Sequence, residues 1–316
     1  MKVLIPDTLD YLSRPEFPSG VAAITYEVAS PFAEEHFDAD VLVVWGTRVR
    51  HMRTAAPHLR NLQLVQTINA GPDSALAVDF APSVVIACGR GLHDIPVAEH
   101  TLALVLAAAR RLDLQIDNQR RRYWSDDLGG LGQVHHFPDL GTLHGKRVLI
   151  WGFGSIAQRL SPMLKLLGAN VTGVARTAGA RSGTDVVTED QGRVLLADTD
   201  LVISLLPATT TTEGFFDEQF FAALPGHSWF VNVGRGRTVN ESDLVKALES
   251  GALAGAALDV TAHEPLSEGS PLWTAPNVII TPHAAGGRPV GAYELVLENI
   301  KALREGTELR NVVDRT

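Results

Sequence analysis

The sequence predicts an α/β protein of two domains, each built on a parallel β-sheet. Its 316 residues exceed what one hydrophobic core usually serves, so two domains are expected. Short apolar segments alternate with helix-length segments along the chain, which is the pattern of parallel strands joined by helices. A glycine-rich turn at residues 152–157 follows an apolar strand near the middle of the chain, where a second series of strands starts.

Residues 1–90 contain the first series of strands. Predicted strands lie within the segments VLIP, AITYEV, DVLVVWG, LQLVQTINAG and SVVIACG. Because helix-length segments separate them, these strands are expected to run parallel within one small α/β domain.

A long helix is predicted next. Asp94 is the predicted N-cap, Pro96 lies in the first turn, and residues 97–121 keep helical character for about six turns. Such a helix could bridge the two domains. Residues 125–145 are rich in Gly, Asp and His and are predicted to form a loop.

The second series of strands lies within RVLIWG, ANVTGVA, TDLVISLLP, SWFVNVG, AGAALDV and NVIITP. Between them, a helix is predicted over residues 241–250, with Asn240 as its N-cap and Gly251 as its stop. The last periodic segment, residues 289–306, predicts a helix whose apolar face either domain could receive. This face carries Tyr293, Val296, Ile300 and Leu303.

The glycine-rich turn has the pattern of a dinucleotide-binding loop between a strand and a helix. Gly152 permits the tight turn, Gly154 lets the backbone approach a pyrophosphate, and Ala157 keeps the helix close to the strand. A phosphate would then rest on the N–H groups of the helix N-terminus. The alternative is an ordinary strand-to-helix turn, which glycines also mark.

The residues after the next strand predict which dinucleotide binds. An acidic residue normally holds the ribose hydroxyls there, but this chain has Ala175 followed by Arg176. A guanidinium without a competing carboxylate suits a 2′-phosphate, so NADP(H) is preferred and NAD(H) remains possible. Thr177 and Arg181 could assist, whereas the alternative makes Arg176 a simple surface arginine.

Three polar residues follow later strands and predict the chemistry: Arg235, Glu264 and His283. Carboxyl ends of parallel strands share one edge, where ligands bind. Arg235 would grip a carboxylate and the adjacent carbonyl oxygen. His283 would exchange a proton with that oxygen during hydride transfer, while Glu264 orients the imidazole and favours its charged form. Each residue alone also has a purely structural explanation.

Composition excludes several other classes. The net charge of −9, with scattered Lys and Arg, argues against nucleic acid as a partner. A single cysteine, Cys88, predicts a reducing, cytoplasmic location, and no apolar run is long enough to span a membrane. The His135–His136 pair lacks a third ligand, so no metal site is predicted. Trp45 and Trp124 are candidate pocket walls or buried aromatics.

The motifs together resemble the D-isomer-specific 2-hydroxyacid dehydrogenases, especially their glyoxylate and hydroxypyruvate reductase branch. They follow in family order over nearly the whole chain, although Ala157 and Ala175-Arg176 depart from the family pattern. The matching segments are NAGPD (69–73), VAEHTLALVLAAARRL (97–112), GFGSIA (152–157), VNVGRG (231–236), ALDVTAHEPL (257–266) and TPHAAG (281–286).

The resemblance implies two Rossmann-like or flavodoxin-like domains with a cleft between them. Residues 1–95 and 287–316 would form a discontinuous substrate-binding domain, and residues 96–286 would form the dinucleotide-binding domain. It also implies a homodimer, formed through the second domain.

The resemblance further implies a role for individual residues. Arg235, Glu264 and His283 would be the catalytic residues. The substrate would also contact the backbone N–H groups of Ala70 and Gly71. Trp45, the candidate pocket wall, is predicted to contact it too. The dinucleotide would be lined, besides the glycine turn, by Ser155, Ile156, Pro207, Val233, Gly234, Gly286 and Asp259, the last near the nicotinamide amide.

The predicted function is reduction of small 2-oxo acids, such as glyoxylate or hydroxypyruvate, to D-2-hydroxy acids with NADPH. One alternative is an NAD-linked D-2-hydroxyacid dehydrogenase of the phosphoglycerate type. Another is a non-catalytic protein of the same fold that senses a dinucleotide, as the transcriptional corepressors of the family do.

Overall fold

The computed structural model describes residues 1–129 and 140–315. It divides into two compact units, Met1–His93 with Arg288–Thr316 (unit 1) and Asp94–Gly287 (unit 2). The strands are β1 Lys2–Pro6, β2 Ala22–Tyr26, β3 Val41–Val44, β4 Leu64–Thr67, β5 Val85–Ala87, β6 Arg147–Trp151, β7 Asn170–Val174, β8 Gly179–Arg181, β9 Thr184–Val187, β10 Leu201–Ser204, β11 Trp229–Asn232, β12 Gly255–Leu258 and β13 Val278–Ile280.

The described α-helices lie between these strands and after the last one. They are α1 Val49–Ala55, α2 Asp73–Leu76, α3 Asp94–Arg110, α4 Leu112–Arg120, α5 Ser155–Leu166, α6 Glu189–Leu195, α7 Glu218–Ala222, α8 Glu241–Glu249 and α9 Ala292–Glu305. Among the described residues, no helix combines the length and the apolar character needed to cross a bilayer.

Unit 1 is built on a five-stranded parallel sheet with the order β2-β1-β3-β4-β5, which confirms the first series of strands. Successive strand residues enter two different cores, because side chains alternate between the faces of a sheet. Leu4 and Leu42 lie in one core, and Val3 and Val41 lie in the other.

The apolar face of α9 packs in unit 1, a position that the periodic pattern of this segment left open. Tyr293, Val296 and Ile300 are buried against the core that contains Val3. The tail after α9 then pairs with β5, since the Val313 N–H donates to the Ile86 carbonyl at 2.9 Å. The two ends of the chain therefore belong to the same unit.

Unit 2 is built on an eight-stranded sheet with the order β13-β12-β11-β10-β6-β7-β9-β8. All six predicted strands are present and parallel. The sequence did not predict the hairpin of β8 and β9, in which β8 is antiparallel. Ser182 and Gly183 connect these two strands with φ angles of 49° and 72°, as in the two-residue turns that match strand twist.

The prediction of one continuous helix after Asp94 was wrong, because the helix breaks at Arg111. This residue has the left-handed backbone angles φ 49° and ψ 46°. Its buried guanidinium donates to Asn277 Oδ1 at 2.8 Å and to Asp113 Oδ2 at 3.1 Å, and it lies 5.7 Å from the ring centroid of Trp229. Pairing of this buried cation compensates for an unfavourable backbone conformation.

The helix predicted over residues 241–250 is confirmed as α8. The Asn240 side chain accepts a hydrogen bond from the Asp243 N–H, and Gly251 follows the helix with φ 73°. These are the N-cap and stop residues that the sequence indicated.

Candidate functional site

A cavity of about 880 Å³ lies in unit 2 at the carboxyl ends of β6, β7 and β10. Strand β6 lies between β7, the next strand along the chain, and β10, from which the sheet continues in the opposite direction through β11, β12 and β13. The strand order therefore reverses beside β6, which is where open α/β sheets bind their ligands.

The glycine turn forms one wall of this cavity. Gly152 has φ 95°, and a Cβ there would lie 2.8 Å from the Leu205 carbonyl carbon, so any larger residue would clash with backbone. A Cβ on Gly154, by contrast, would meet nothing within 4 Å. Helix α5 begins at Ser155 and its Ala157 is fully buried. Open space beside the first N–H groups of a helix suits a pyrophosphate.

The structure places the residues predicted for the dinucleotide in two groups. Those that line the cavity are Gly152, Gly154, Ser155, Ile156, Arg176, Thr177 and Pro207. Those that lie outside its lining are Val233, Gly234, Asp259 and Gly286. The second group follows β11, β12 and β13, on the side of the sheet that carries Arg235, Glu264 and His283.

The β8–β9 hairpin contributes a second arginine to the cavity. The Arg181 guanidinium donates to the Phe153 carbonyl at 3.1 Å and to the Thr177 carbonyl and hydroxyl at 2.8 and 2.7 Å. It thereby ties the glycine turn to the segment after β7. The Arg176 side chain is exposed at the same rim.

A carboxylate also lines this cavity, but it comes from another element. Ala175 occupies the position after β7, and Glu189 lies at the start of α6. The Arg193 guanidinium lies 3.4 Å from Glu189 Oε1. The end of β7 thus presents guanidinium groups and no acid, an arrangement that favours an anion over ribose hydroxyls.

The structure brings Glu264 and His283 into direct contact. His283 Nδ1 lies 2.7 Å from Glu264 Oε2, and Glu264 Oε1 accepts the Thr261 N–H at 3.2 Å. Both side chains are partly exposed. His283 has φ 53°, a rare backbone conformation for a residue with a side chain, and such strain is typical of functional sites.

Arg235 follows β11 in a loop that a buried amide fixes. Asn232 is fully buried; its Nδ2 donates to the Arg235 carbonyl at 3.2 Å, and its Oδ1 accepts the Gly234 N–H at 3.1 Å. The Thr238 hydroxyl donates to the same Arg235 carbonyl at 2.6 Å. The main chain at Arg235 is therefore held from both sides.

Gly236 brings the Arg235 loop against the loop that carries Glu264. A Cβ on Gly236 would lie 1.9 Å from the Thr261 carbonyl carbon, so only glycine permits this approach. Thr261 in turn binds Glu264 through its backbone N–H. Segments that are distant in sequence thus meet through backbone contacts.

The sequence did not indicate His100, which the structure places beside Asp259. His100 Nε2 lies 3.2 Å from Asp259 Oδ1 and 3.1 Å from the Thr281 hydroxyl. A single histidine on a largely apolar helix gave no signal of this pairing, because its partners lie far along the chain.

In unit 1, the residues predicted to contact substrate follow adjacent strands. Trp45 comes after β3, and Ala70 and Gly71 come after β4. The Trp45 ring is half-buried and stacks on His93, with 5.4 Å between ring centroids. Trp124 is 90% exposed, so the interpretation of a buried aromatic was wrong; it does not line the cavity of unit 2.

Over residues 1–129 and 140–315, no group of three or more His, Cys, Asp or Glu side chains could hold a metal ion. His135 and His136 lie outside the described residues.

Comparisons with protein families, curated proteins and solved structures all find D-isomer specific 2-hydroxyacid dehydrogenases or glyoxylate/hydroxypyruvate reductases. The family model "D-isomer specific 2-hydroxyacid dehydrogenase, NAD binding domain" matches residues 102–285. Glyoxylate/hydroxypyruvate reductase A of Salmonella choleraesuis is 30% identical over 289 residues, which cover 88% of this chain and 86% of that protein.

Solved structures also match almost the whole chain, including the following two. A D-isomer specific 2-hydroxyacid dehydrogenase family protein from Aeromonas salmonicida has a TM-score of 0.85 at 27% identity, covering 100% of this chain and 99% of that one. An NADPH-dependent glyoxylate/hydroxypyruvate reductase from Sinorhizobium meliloti, in complex with NADP and sulfate, has a TM-score of 0.79 at 27% identity, covering 99% and 98%.

Proposed function

The chain belongs to the D-isomer specific 2-hydroxyacid dehydrogenase family, and from this premise we propose that it reduces small 2-oxo acids to D-2-hydroxy acids with NADPH. Its activity class is that of an NAD(P)-dependent oxidoreductase. The proposed substrates are of the glyoxylate and hydroxypyruvate type, on which relatives named as glyoxylate/hydroxypyruvate reductases act.

The contact between His283 and Glu264 is the observation that carries this proposal. A carboxylate only accepts hydrogen bonds, so Nδ1 of His283 holds a proton at 2.7 Å from Glu264. The other ring nitrogen, Nε2, then exchanges a proton with the substrate. In the reducing direction, His283 donates this proton to the carbonyl oxygen as that carbon is reduced, and Glu264 stabilises the charged imidazole before the transfer.

Arg235 is the proposed carboxylate anchor. Its planar guanidinium can bind a carboxylate and the adjacent carbonyl oxygen of a 2-oxo acid, which polarises the carbonyl. In unit 1, the backbone N–H groups of Ala70 and Gly71 and the side chain of Trp45 are the proposed substrate contacts.

The unit 2 cavity is the proposed cofactor site, and its residues fit a phosphorylated dinucleotide. Gly152, Gly154, Ser155 and Ile156 would hold the pyrophosphate, and Arg176 with Thr177 would hold a 2′-phosphate. Pro207 lines the same cavity. When bound, the reduced nicotinamide supplies the hydride. The residues proposed nearer to that ring are Val233, Gly234, Asp259 and Gly286.

A substrate panel tests this proposal. Purified protein is mixed with NADPH or NADH and with glyoxylate, hydroxypyruvate and larger 2-oxo acids, and nicotinamide absorbance is followed. Turnover with NADPH and a D-configured product from hydroxypyruvate are expected; the glyoxylate product is achiral and cannot report configuration. The variant His283→Ala should lose turnover by about 100-fold or more while binding NADPH, and His263→Ala, at an exposed position in the Glu264 loop, is the matched control.

Other outcomes of the same experiment point to the alternatives. A preference for NADH would indicate an NAD-linked dehydrogenase, and NADPH binding without turnover on any 2-oxo acid would indicate a dinucleotide sensor. The homodimer and the cytoplasmic location stay predictions.

A further inference from the structure

Asp259 is the most heavily hydrogen-bonded carboxylate near His283. Its side chain is 1% exposed. Oδ1 accepts the Thr281 hydroxyl at 2.6 Å and the Ala284 N–H at 2.9 Å, and Oδ2 accepts the Ala285 N–H at 3.0 Å. A buried carboxylate requires such partners because it has left water.

These bonds fix the turn that carries His283. The backbone carbonyl of Asp259 accepts the His283 N–H at 2.8 Å, and its carboxylate accepts the next two N–H groups. Three consecutive N–H groups, of residues 283–285, are therefore held by one aspartate. This holds His283 in its left-handed backbone conformation, φ 53°, which isolated residues rarely adopt.

His100 approaches this carboxylate from a different element, helix α3. His100 Nε2 lies 3.2 Å from Asp259 Oδ1, and its hydrogen bond is with the Thr281 hydroxyl. Thr281 gives its hydroxyl proton to the same Oδ1, so its oxygen can accept from His100 Nε2 at 3.1 Å. His100 and Thr281 thus orient the Asp259 carboxylate together.

We propose that His100 is a positioning residue for the acid–base histidine, acting through Asp259 and the turn at 283–285. Nothing in its contacts places it on the substrate, and it does not line the unit 2 cavity. This inference rests on the proposed function for the role of His283, but the contact network stands independently of any substrate.

Two variants of His100 test it. His100→Leu removes the donor, whereas His100→Gln keeps an N–H near the position of Nε2. We expect His100→Leu to lower kcat for glyoxylate reduction by about 10- to 100-fold, with the Kd for NADPH near the wild-type value, and His100→Gln to restore most of the lost turnover. His144→Leu, at an exposed position of the same unit, is the control.

Amide hydrogen exchange supplies a readout that needs no turnover. In His100→Leu, peptides covering residues 283–287 should lose protection while the remainder of unit 2 keeps it. Thr281→Val, which removes the side-chain hydroxyl that donates to Oδ1, should have the same local effect and covers the case in which His100→Leu does not fold.

The inference is overturned if local protection is unchanged, or if protection falls while kcat stays at the wild-type value. Global loss of protection without rescue by His100→Gln would also overturn it, since that pattern indicates a general structural role. If the wild-type protein shows no turnover, the proposed function fails, and the exchange data still decide whether His100 holds the turn.

Discussion

The Nδ1 atom of His283 lies 2.7 Å from Oε2 of Glu264, and the second oxygen of Glu264 accepts the backbone N–H of Thr261. Both carboxylate oxygens are therefore engaged, one by the imidazole and one by the loop that carries the glutamate. This arrangement fixes the tautomer of the ring, because Nδ1 must donate to the carboxylate. It leaves Nε2 for the proton exchange with a substrate that we propose.

The first prediction concerns the charge of Glu264. Glu264→Gln keeps the shape of the side chain but removes the negative charge that stabilises the imidazolium and selects the tautomer. We expect kcat for glyoxylate reduction to fall by about 100-fold or more, with the Kd for NADPH nearly unchanged. Steady-state kinetics and a binding titration measure the two quantities.

Glu268→Gln is the matched control, because Glu268 is exposed in the same loop. Wild-type kcat in Glu264→Gln would remove the carboxylate from the mechanism.

The second prediction concerns the choice of cofactor. Arg176→Ala removes an exposed guanidinium from the rim of the unit 2 cavity. The Kd for NADPH should rise about tenfold or more, the value of a charge-assisted hydrogen bond, and the Kd for NADH should hardly change. Arg159→Ala, on the exposed side of α5 and outside the cavity, is the control.

Arg181→Ala should behave differently from Arg176→Ala. Because Arg181 bonds the Phe153 carbonyl in the glycine turn, its loss should weaken binding of both cofactors. If the wild-type protein already prefers NADH, the proposed phosphate contact of Arg176 is wrong.

The third prediction concerns the approach of two loops at Gly236. In Gly236→Ala, the new methyl group would have to displace the Thr261 backbone, which lies 1.9 Å from its ideal position. We expect a loss of about 1 to 3 kcal/mol in the free energy of unfolding, together with lower kcat, because the loops of Arg235 and Glu264 separate. Chemical denaturation and steady-state kinetics provide the two measurements.

Gly269→Ala serves as the comparison, since a Cβ at Gly269 meets nothing within 4 Å. Equal stability and equal kcat in the two variants would contradict the close approach.

The fourth prediction concerns how stability depends on pH at Asp200, which precedes β10 at the amino ends of the unit 2 strands. Burial by itself raises the pKa of Asp200, but the Arg147 N–H and the charges of Lys146 and His227 outweigh it, so its pKa lies below the usual 3.8. Asp200 therefore stabilises the fold above the ordinary carboxyl pKa, and this contribution is lost as the pH falls through its folded-state pKa.

Asp200→Asn should consequently lower the free energy of unfolding by about 1 to 3 kcal/mol near pH 7. In acid, the free energies of unfolding of wild type and variant should become equal. Asp198→Asn, at a 72% exposed side chain, should change it by about 1 kcal/mol or less. The free energy of unfolding is measured as a function of pH for both proteins. A constant difference between wild type and Asp200→Asn from pH 7 into acid would refute this account.

Much of the fold could be predicted because its signals are local. The predicted strands of both units are present, and Asn240 and Gly251 bound α8 as their side-chain chemistry requires. The glycine turn was also predictable, since the tight turn at Gly152 and the packing of Ala157 need those residues whatever surrounds them. The periodic pattern of α9 did not indicate its position, because an apolar face carries no signal for the unit that receives it; only the family resemblance assigned this segment to the first domain.

The sequence by itself determined the two series of parallel strands, the dinucleotide turn and the residue types that end each strand, because backbone conformation and burial periodicity are properties of neighbouring residues. Only the tertiary structure decided the break at Arg111, the contact of His100 with Asp259 and the approach of Gly236 to Thr261. Each of these joins segments far apart in the chain. The free energy of each contact depends on a partner that only folding brings close. A local sequence pattern therefore does not predict it.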